Sequence, residues 1–171
     1  MTWRTIVNGL HNRVGAALEK LGITVRVHDH SAFDSPVASP NDLSKVLGVP
    51  LERIAKSVLL RQQSGAQFVL AVCPVNRKID MKSISRHLAL GRLELASVDN
   101  LTKKLGYPRL GVSPLGLPRN IVVVIDKSLL THRTVIVGGG NAGIEVELGP
   151  WDLAQACDGE ILVITDGRDS I

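Results

Sequence analysis

Three segments of this chain combine residue types and spacings that could do chemistry. The first is Ile54-Ala-Lys-Ser-Val-Leu-Leu60, where strand alternation puts the Lys56 side chain on the face shared by Val58 and Leu60. A buried ammonium without a partner is expensive. Lys56 must therefore either sit at the strand's open end, its stem on apolar surface and its head in water, or meet a partner. The second is Leu110-Gly-Val-Ser-Pro-Leu-Gly116, two glycines and a proline around a serine. Glycine lets a backbone approach a ligand closely, proline stiffens the loop, and consecutive free amides can hold a carbonyl or phosphate oxygen as an oxyanion hole does. A simple connection between elements is the alternative. The third is Val137-Gly-Gly-Gly-Asn-Ala-Gly143. It lacks the Gly-Lys-Ser/Thr ending of a phosphate loop and runs into a strand instead of a helix, which excludes Walker and dinucleotide readings. A flexible turn that lets a substrate come close fits better.

His28 and His30 close a strand-like run and are the candidate general bases, although a histidine at a strand end is as readily a half-exposed polar residue. No Ser/His/Asp set stands out. The two cysteines, Cys73 and Cys157, have neither the spacing of a zinc site nor a disulfide framework, and Cys73 in an apolar run reads as a buried inert thiol. Neither a metal nor a cofactor is expected.

The elements that must position these residues alternate between short helices and β-rich runs. Residues 8–21 carry apolar groups at three-and-four spacing, closed by Gly22, and residues 23–28 alternate as a strand. Ser39 caps a short helix with Pro40 first and Gly48 last. Residues 55–61 and 67–72 read as a hairpin about Ser64-Gly65. Asp80 starts a helix with Met81, Ile84 and Leu88 inward, beside a basic ridge of Lys78, Lys82 and Arg86. Ser97 starts another, with Val98, Leu101 and Leu105 inward and Gly106 as its stop. Strands at 121–125, 134–137, 144–148 and 160–164 and a helix after Pro150 complete the chain. The expected architecture is a single mixed α/β domain over 1–171, with a largely antiparallel central sheet and short helices around it.

Composition narrows the function. Of the 171 residues 44% are hydrophobic but only 3% aromatic, so the core is aliphatic and a stacking platform for single-stranded nucleic acid cannot be built from rings. Residues 77–133 hold eleven Lys or Arg against four Asp or Glu, while the segment from Glu145 onward holds seven acids against Arg168. A basic middle could meet a phosphate backbone, or form a solvated polar face. No run approaches a membrane span and the N-terminal residues lack a signal-peptide pattern, so a cytoplasmic protein without a membrane partner is expected.

In chain order, Lys56-Ser-Val-Leu-Leu, Ala71-Val-Cys-Pro-Val with Ile79-Asp-Met-Lys82, Gly111-Val-Ser-Pro-Leu-Gly116, Val124-Ile-Asp126 and Gly140-Asn-Ala-Gly143-Ile-Glu-Val-Glu-Leu-Gly-Pro150 closely resemble the YbaK family, free-standing relatives of the editing domain of bacterial prolyl-tRNA synthetases. The resemblance runs from about residue 18 to residue 164. It implies an aminoacyl-tRNA deacylase acting in trans on mischarged tRNA, with tRNA(Pro) bearing alanine, cysteine, serine or threonine as substrate and prolyl-tRNA synthetase as a possible partner. A non-catalytic tRNA- or synthetase-binding module of the same fold is the alternative.

By resemblance, Lys56 is the family's essential lysine near the scissile ester or terminal phosphate. Gly111, Val112, Ser113 and Pro114 form the loop that holds the aminoacyl group and orients the terminal ribose. His30, Gly138, Gly139, Gly140, Gly143 and Glu145 belong to the substrate pocket, Glu145 falling where relatives often carry aspartate. Independently of the resemblance, the basic ridge of Lys78, Lys82 and Arg86 would contact tRNA phosphate. Cysteine-acting relatives carry serine at Gly138 and tyrosine near His30. The pocket is therefore expected to gain room at Gly138, and its amino-acid preference to broaden or shift. An aminoacyl ester is already activated, so positioning and oxyanion stabilisation suffice without a strong nucleophile.

Overall fold

The computed structural model describes residues 9–169. Asn8 and the N-terminal residues read above for a signal peptide lie outside them. Helix α1 (Asn12–Leu21) starts later than its apolar spacing suggests, because His11 takes the cap position and accepts a hydrogen bond from the Arg13 amide. The later helices are α2 (Pro40–Leu47), α3 (Met81–His87), α4 (Val98–Leu105) and α5 (Pro150–Cys157). Ser39, Asp80 and Ser97 cap α2, α3 and α4 with side-chain hydrogen bonds, and Gly22, Gly48 and Gly106 end α1, α2 and α4 in the left-handed conformation.

The strands are β1 (Arg26–Asp29), β2 (Ala55–Gln62), β3 (Phe68–Pro74), β4 (Arg77–Ile79), β5 (Leu93–Leu95), β6 (Ile121–Asp126), β7 (Val135–Gly138), β8 (Ile144–Leu148), β9 (Glu160–Leu162) and β10 (Thr165–Asp169). They form a five-stranded sheet in the order β5-β2-β3-β6-β9, a three-stranded sheet β1-β8-β7 and the pair β10-β4. The fold is mixed α/β, and most ladders are antiparallel; β3–β6 and β6–β9 run parallel. From Val69 to Pro74 every residue of β3 is buried, as an unbroken apolar run in a covered sheet requires.

Two apolar layers cover the faces of the five-stranded sheet. One joins Leu59, Leu70 and Val123 to Val14 and Leu18 of α1, Leu153 of α5 and Val146 of β8. The other joins Leu60, Val69 and Cys73 to Ile84 of α3 and to Ile164. A third cluster, Leu43, Ile54 and Ile136, ties α2 to both larger sheets, where a parallel bridge joins Ile54 to Ile136.

The structure corrects two details of the helix reading. Lys78 lies in β4, ahead of the Asp80 cap, so only Lys82 and Arg86 of the expected ridge stand on α3. Val98 is exposed, and Leu101 and Leu105 alone turn α4 inward. As the first residue of its helix, Val98 precedes the turn that the sheet covers.

Candidate active site

The centre of the site is built by one strand pairing and the turn after it. In the antiparallel register of β1 and β8, His28 lies opposite Glu145. The alternation that buries Ile144, Val146 and Leu148 sends Glu145 and Glu147 to the other face. After β1 the chain folds into a tight 3-10 turn (His30–Ala32), capped by Asp29, whose carboxylate accepts from the Ser31 amide and hydroxyl at 2.9 and 2.7 Å. The His30 amide donates to the Gly143 carbonyl at 2.9 Å, and Gly143, at φ +76°, brings its loop against the imidazole. His30 Nε2 thus comes within 3.4 Å of Glu145 Oε1. The approach lacks hydrogen-bond alignment, and Nε2 is buried without a hydrogen-bond partner among the described residues.

The two carboxyl groups of β8 face opposite electrostatic settings. Burial pushes Glu147 up, but hydrogen bonds from Thr134 and His28 and the charges of His28 and Arg53 outweigh it and hold the group below the usual range. His28 Nε2 lies 2.8 Å from Glu147 Oε2, and Arg53 Nη2 and Thr134 Oγ1 reach Oε1 at 2.8 and 2.6 Å. Glu145 accepts no hydrogen bond among the described residues, and burial pushes its carboxyl up to about 7. Burial also lowers His30, against the charge of Asp29 and with that of His28. Both shifts favour the uncharged form of each group.

A cavity of about 450 Å³ opens at this pair. His30, Gly143 and Glu145 line it on the sheet side, Val37 and Leu43 on the α2 side, and Ile54, Ala55 and Val75 along the strands. Leu110, strongly exposed, contributes from the glycine-rich loop.

That loop packs on the later glycine loop backbone to backbone. A Cβ on Gly111 would lie 2.6 Å from the Asn141 carbonyl carbon, and one on Gly138 would overlap the Val112 carbonyl oxygen. The space in front of Gly138 is thus filled by Val112, and the expected widening of the pocket there does not occur. Tyr107, fully buried, donates to the Leu115 carbonyl at 2.6 Å, and Arg13 donates from Nε and Nη2 to the Gly116 carbonyl at 2.9 and 2.7 Å, anchoring the loop to α1. Buried Ser113 turns its hydroxyl to accept from the Leu115 amide at 3.2 Å. The Gly111 amide is consumed by Pro108 O at 2.9 Å, whereas the Val112 and Ser113 amides donate to no acceptor among the described residues.

Of the residues singled out from sequence, His30, Gly143 and Glu145 meet at the cavity. Gly139 and Gly140 pack inward instead, against Ile144 and Leu10 and against Tyr107 and Val14. Lys56 is half-buried at the start of β2, opposite Cys73, where β5, paired only from Leu60 onward, does not reach. Its charge acts on the Cys73 thiol, which burial pushes up to about 12. Ile54 and Ala55 line the cavity and Lys56 stands next along the chain. Lys78, Lys82 and Arg86 are off the cavity; Lys82 and Arg86 border a separate groove of about 720 Å³ that Arg92, overlooked in the sequence, also lines. The network of Arg53, Thr134, Glu147 and His28 was likewise missed. Its signal was the complementary alternation of Arg26-x-His28 and Glu145-x-Glu147 on two strands.

Among the described residues no cluster of three or more His, Cys, Asp or Glu is set to hold a metal, and no helix is long and apolar enough to cross a membrane. The family model of the aminoacyl-tRNA editing domain matches residues 34–156, which contain the α2 wall, β2, both glycine loops and β8. The chain belongs to the aminoacyl-tRNA editing domain family.

The prolyl-tRNA editing protein ProX of Acetoanaerobium sticklandii is 30% identical over 144 residues, covering 82% of this chain and 85% of that protein. EbsC of Enterococcus faecalis, a candidate Cys-tRNA(Pro)/Cys-tRNA(Cys) deacylase, is 27% identical over 135 residues, 78% of this chain and 81% of EbsC. The crystal structure of a candidate trans-editing enzyme for prolyl-tRNA synthetase superposes over 91% of this chain and 96% of its own with a TM-score of 0.73 at 23% identity, sharing the fold.

Proposed function

We propose that this editing-family chain hydrolyses the ester of mischarged aminoacyl-tRNA, acting in trans on tRNA(Pro) that carries a small wrong amino acid. The observation that carries this reading is the cavity bounded by Glu145 and His30, to which the loop of the Val112 and Ser113 amides, unengaged among the described residues, contributes Leu110. Its volume of about 450 Å³ suits an aminoacyl group, and its apolar walls at Val37, Leu43, Ile54 and Val75 suit a small side chain.

The mechanism needs no strong nucleophile. The aminoacyl group enters the cavity and the terminal ribose lies along the glycine loop. The Val112 and Ser113 amides donate hydrogen bonds to the ester carbonyl oxygen as negative charge develops on it, each such donor being worth roughly 10²–10³ in turnover. The terminal ribose hydroxyl positions the attacking water, and Lys56 adds positive charge beside the cavity wall. Held in place by backbone packing, the loop loses no reorganisation energy at the moment of reaction.

A deacylation panel tests the reading: the purified chain against tRNA(Pro) charged in turn with alanine, cysteine, serine, threonine and proline, with and without prolyl-tRNA synthetase. Hydrolysis of one or more small noncognate esters, with prolyl-tRNA spared, is expected. Release of all five at the uncatalysed rate by a folded protein would refute it. A rate that rises with added synthetase identifies that enzyme as a partner.

A further inference from the structure

The two glutamates of β8 differ in one respect that points to a ligand. Glu147 has its cation, Arg53, together with Thr134 and His28. Glu145, two residues earlier on the same face, has none among the described residues. Opposite it on β1 stands His28, whose Nε2 is committed to Glu147. Opposite it on β7 stands Gly138, which has no side chain. His30 approaches it without hydrogen-bond alignment, and Asp29 beside His30 is turned to Ser31. From α2 and the loop before it come Ala38, Ser39 and Leu43, with the Ser39 hydroxyl committed to Asp42. From β2 and the segment after β3 come Ala55 and Val75. Arg53 is held by Glu147 and Thr134. A carboxyl group lining a cavity, with an imidazole nitrogen at 3.4 Å that is unpartnered among the described residues and no cation among them acting on it, is set to receive a cation from outside.

We propose that Glu145 and His30 form the subsite for the free α-ammonium group of the aminoacyl substrate, and that the site thereby selects esters of free amino acids over N-acylated and peptidyl esters. The inference rests on the aminoacyl-ester reading above, and it assigns a role that reading left open. Binding breaks and forms no bond in the substrate. A protonated Glu145 releases its carboxyl proton to water, the carboxylate pairs with the ammonium, and His30 Nε2 accepts a hydrogen bond from the same group. An α-amino group titrates near 7.7–8.0, close to the value of about 7 to which burial brings Glu145, so a small pairing energy fixes the proton on nitrogen and the negative charge on oxygen. An N-acyl group carries no charge and cannot ionise Glu145.

The test follows the Glu145 carboxyl by carbon-13 NMR in the full chain, titrated alone, with saturating L-alaninamide and with N-acetyl-L-alaninamide. L-alaninamide is expected to lower the Glu145 midpoint by a full pH unit or more, a tenfold preference of the ammonium for the ionised form, while the acetylated probe leaves it in place. In parallel, kcat/KM for alanyl-tRNA should exceed that for N-acetylalanyl-tRNA at least tenfold, and Glu145→Gln should narrow that gap. No movement of the midpoint with L-alaninamide, or equal movement with both probes, overturns the subsite. A lowered midpoint without cleavage of any aminoacyl-tRNA keeps the amine subsite and removes the hydrolase reading. Cleavage with an unmoved midpoint does the reverse.

Discussion

Glu145→Gln keeps the shape of a buried side chain and removes its ionisation, and its effect on stability follows from the structure. The Glu145 side chain is 20% exposed and has no hydrogen-bond donor among the described residues, and burial raises its carboxyl from 4.5 to about 7. A group whose folded value is raised stabilises the fold fully below its unfolded value and loses that contribution as pH rises through the folded one. Between pH 5 and pH 8 the wild-type chain should therefore lose about 2.5 kcal/mol of stability through Glu145 alone, since each tenfold difference in proton affinity between the folded and unfolded chain is worth about 1.4 kcal/mol. Lowered by burial, His30 acts in the opposite sense, costing stability as pH falls below the ordinary imidazole range. His30 is present in both proteins, so the difference between them isolates Glu145. Urea denaturation of wild type and Glu145→Gln at half-unit steps from pH 5 to 8 makes the comparison, provided the m-values agree. The variant should gain on the wild type steadily above pH 5, by about 2.5 kcal/mol at pH 8 relative to pH 5. Parallel profiles would refute the reasoning, because Glu145 would then be ionised in the folded state by a partner that the structure does not provide.

Lys56→Ala should lower deacylation turnover roughly a hundredfold or more, while leaving the urea midpoint nearly unchanged, since the half-buried lysine carries no hydrogen bond or ion pair among the described residues. Retained turnover would make Lys56 a sheet residue beside Cys73. Gly138→Ser should push the Val112 carbonyl away and cost about 1–3 kcal/mol as an overpacked site does, lowering turnover on every substrate together; a changed substrate order at unchanged stability would restore an open pocket there. Charge reversal at Lys82 and Arg86 should raise KM for tRNA and flatten the logarithmic salt dependence by roughly two, with kcat preserved. An unchanged salt slope would move the phosphate footprint off α3.

What was legible in the sequence is what short-range chemistry encodes. The caps at Ser39, Asp80 and Ser97 and the stops at Gly22, Gly48 and Gly106 each act within one helical turn, and all six stand where the residue types put them. The β2–β3 hairpin and the apolar strands β6 and β8 follow from alternation and turn residues in the same way. Strands β4 and β5, three residues each, are too short to show a period, and β10 is made of Thr-Asp-Gly-Arg-Asp, a composition that favours turns. The extension of the basic ridge to Lys78 overran the Asp80 cap, since a recurrence of four can continue past a helix start into the strand before it. For the site, the glycines announced a close approach but not what approaches. At Gly138 it is the protein's own Val112 carbonyl.

The meeting of His30 with Glu145 lies beyond local reading for a further reason. It depends on the β1–β8 register, which joins residues more than a hundred positions apart, and a slip of one residue would turn Glu145 and Glu147 into the core. The register is held by Val146 and its apolar neighbours on the buried face and by the pairing of His28 with Glu147 on the other. The satisfied carboxylate and the unsatisfied one therefore have separate tasks. Glu147, joined to Arg53 ahead of β2, to Thr134 ahead of β7 and to His28 on β1, ties together three segments around the cavity and keeps its charge at working pH. Glu145, supported by that frame but left without a cation among the described residues, can change its charge without moving the walls, and this is the property that a subsite for a charged substrate group requires.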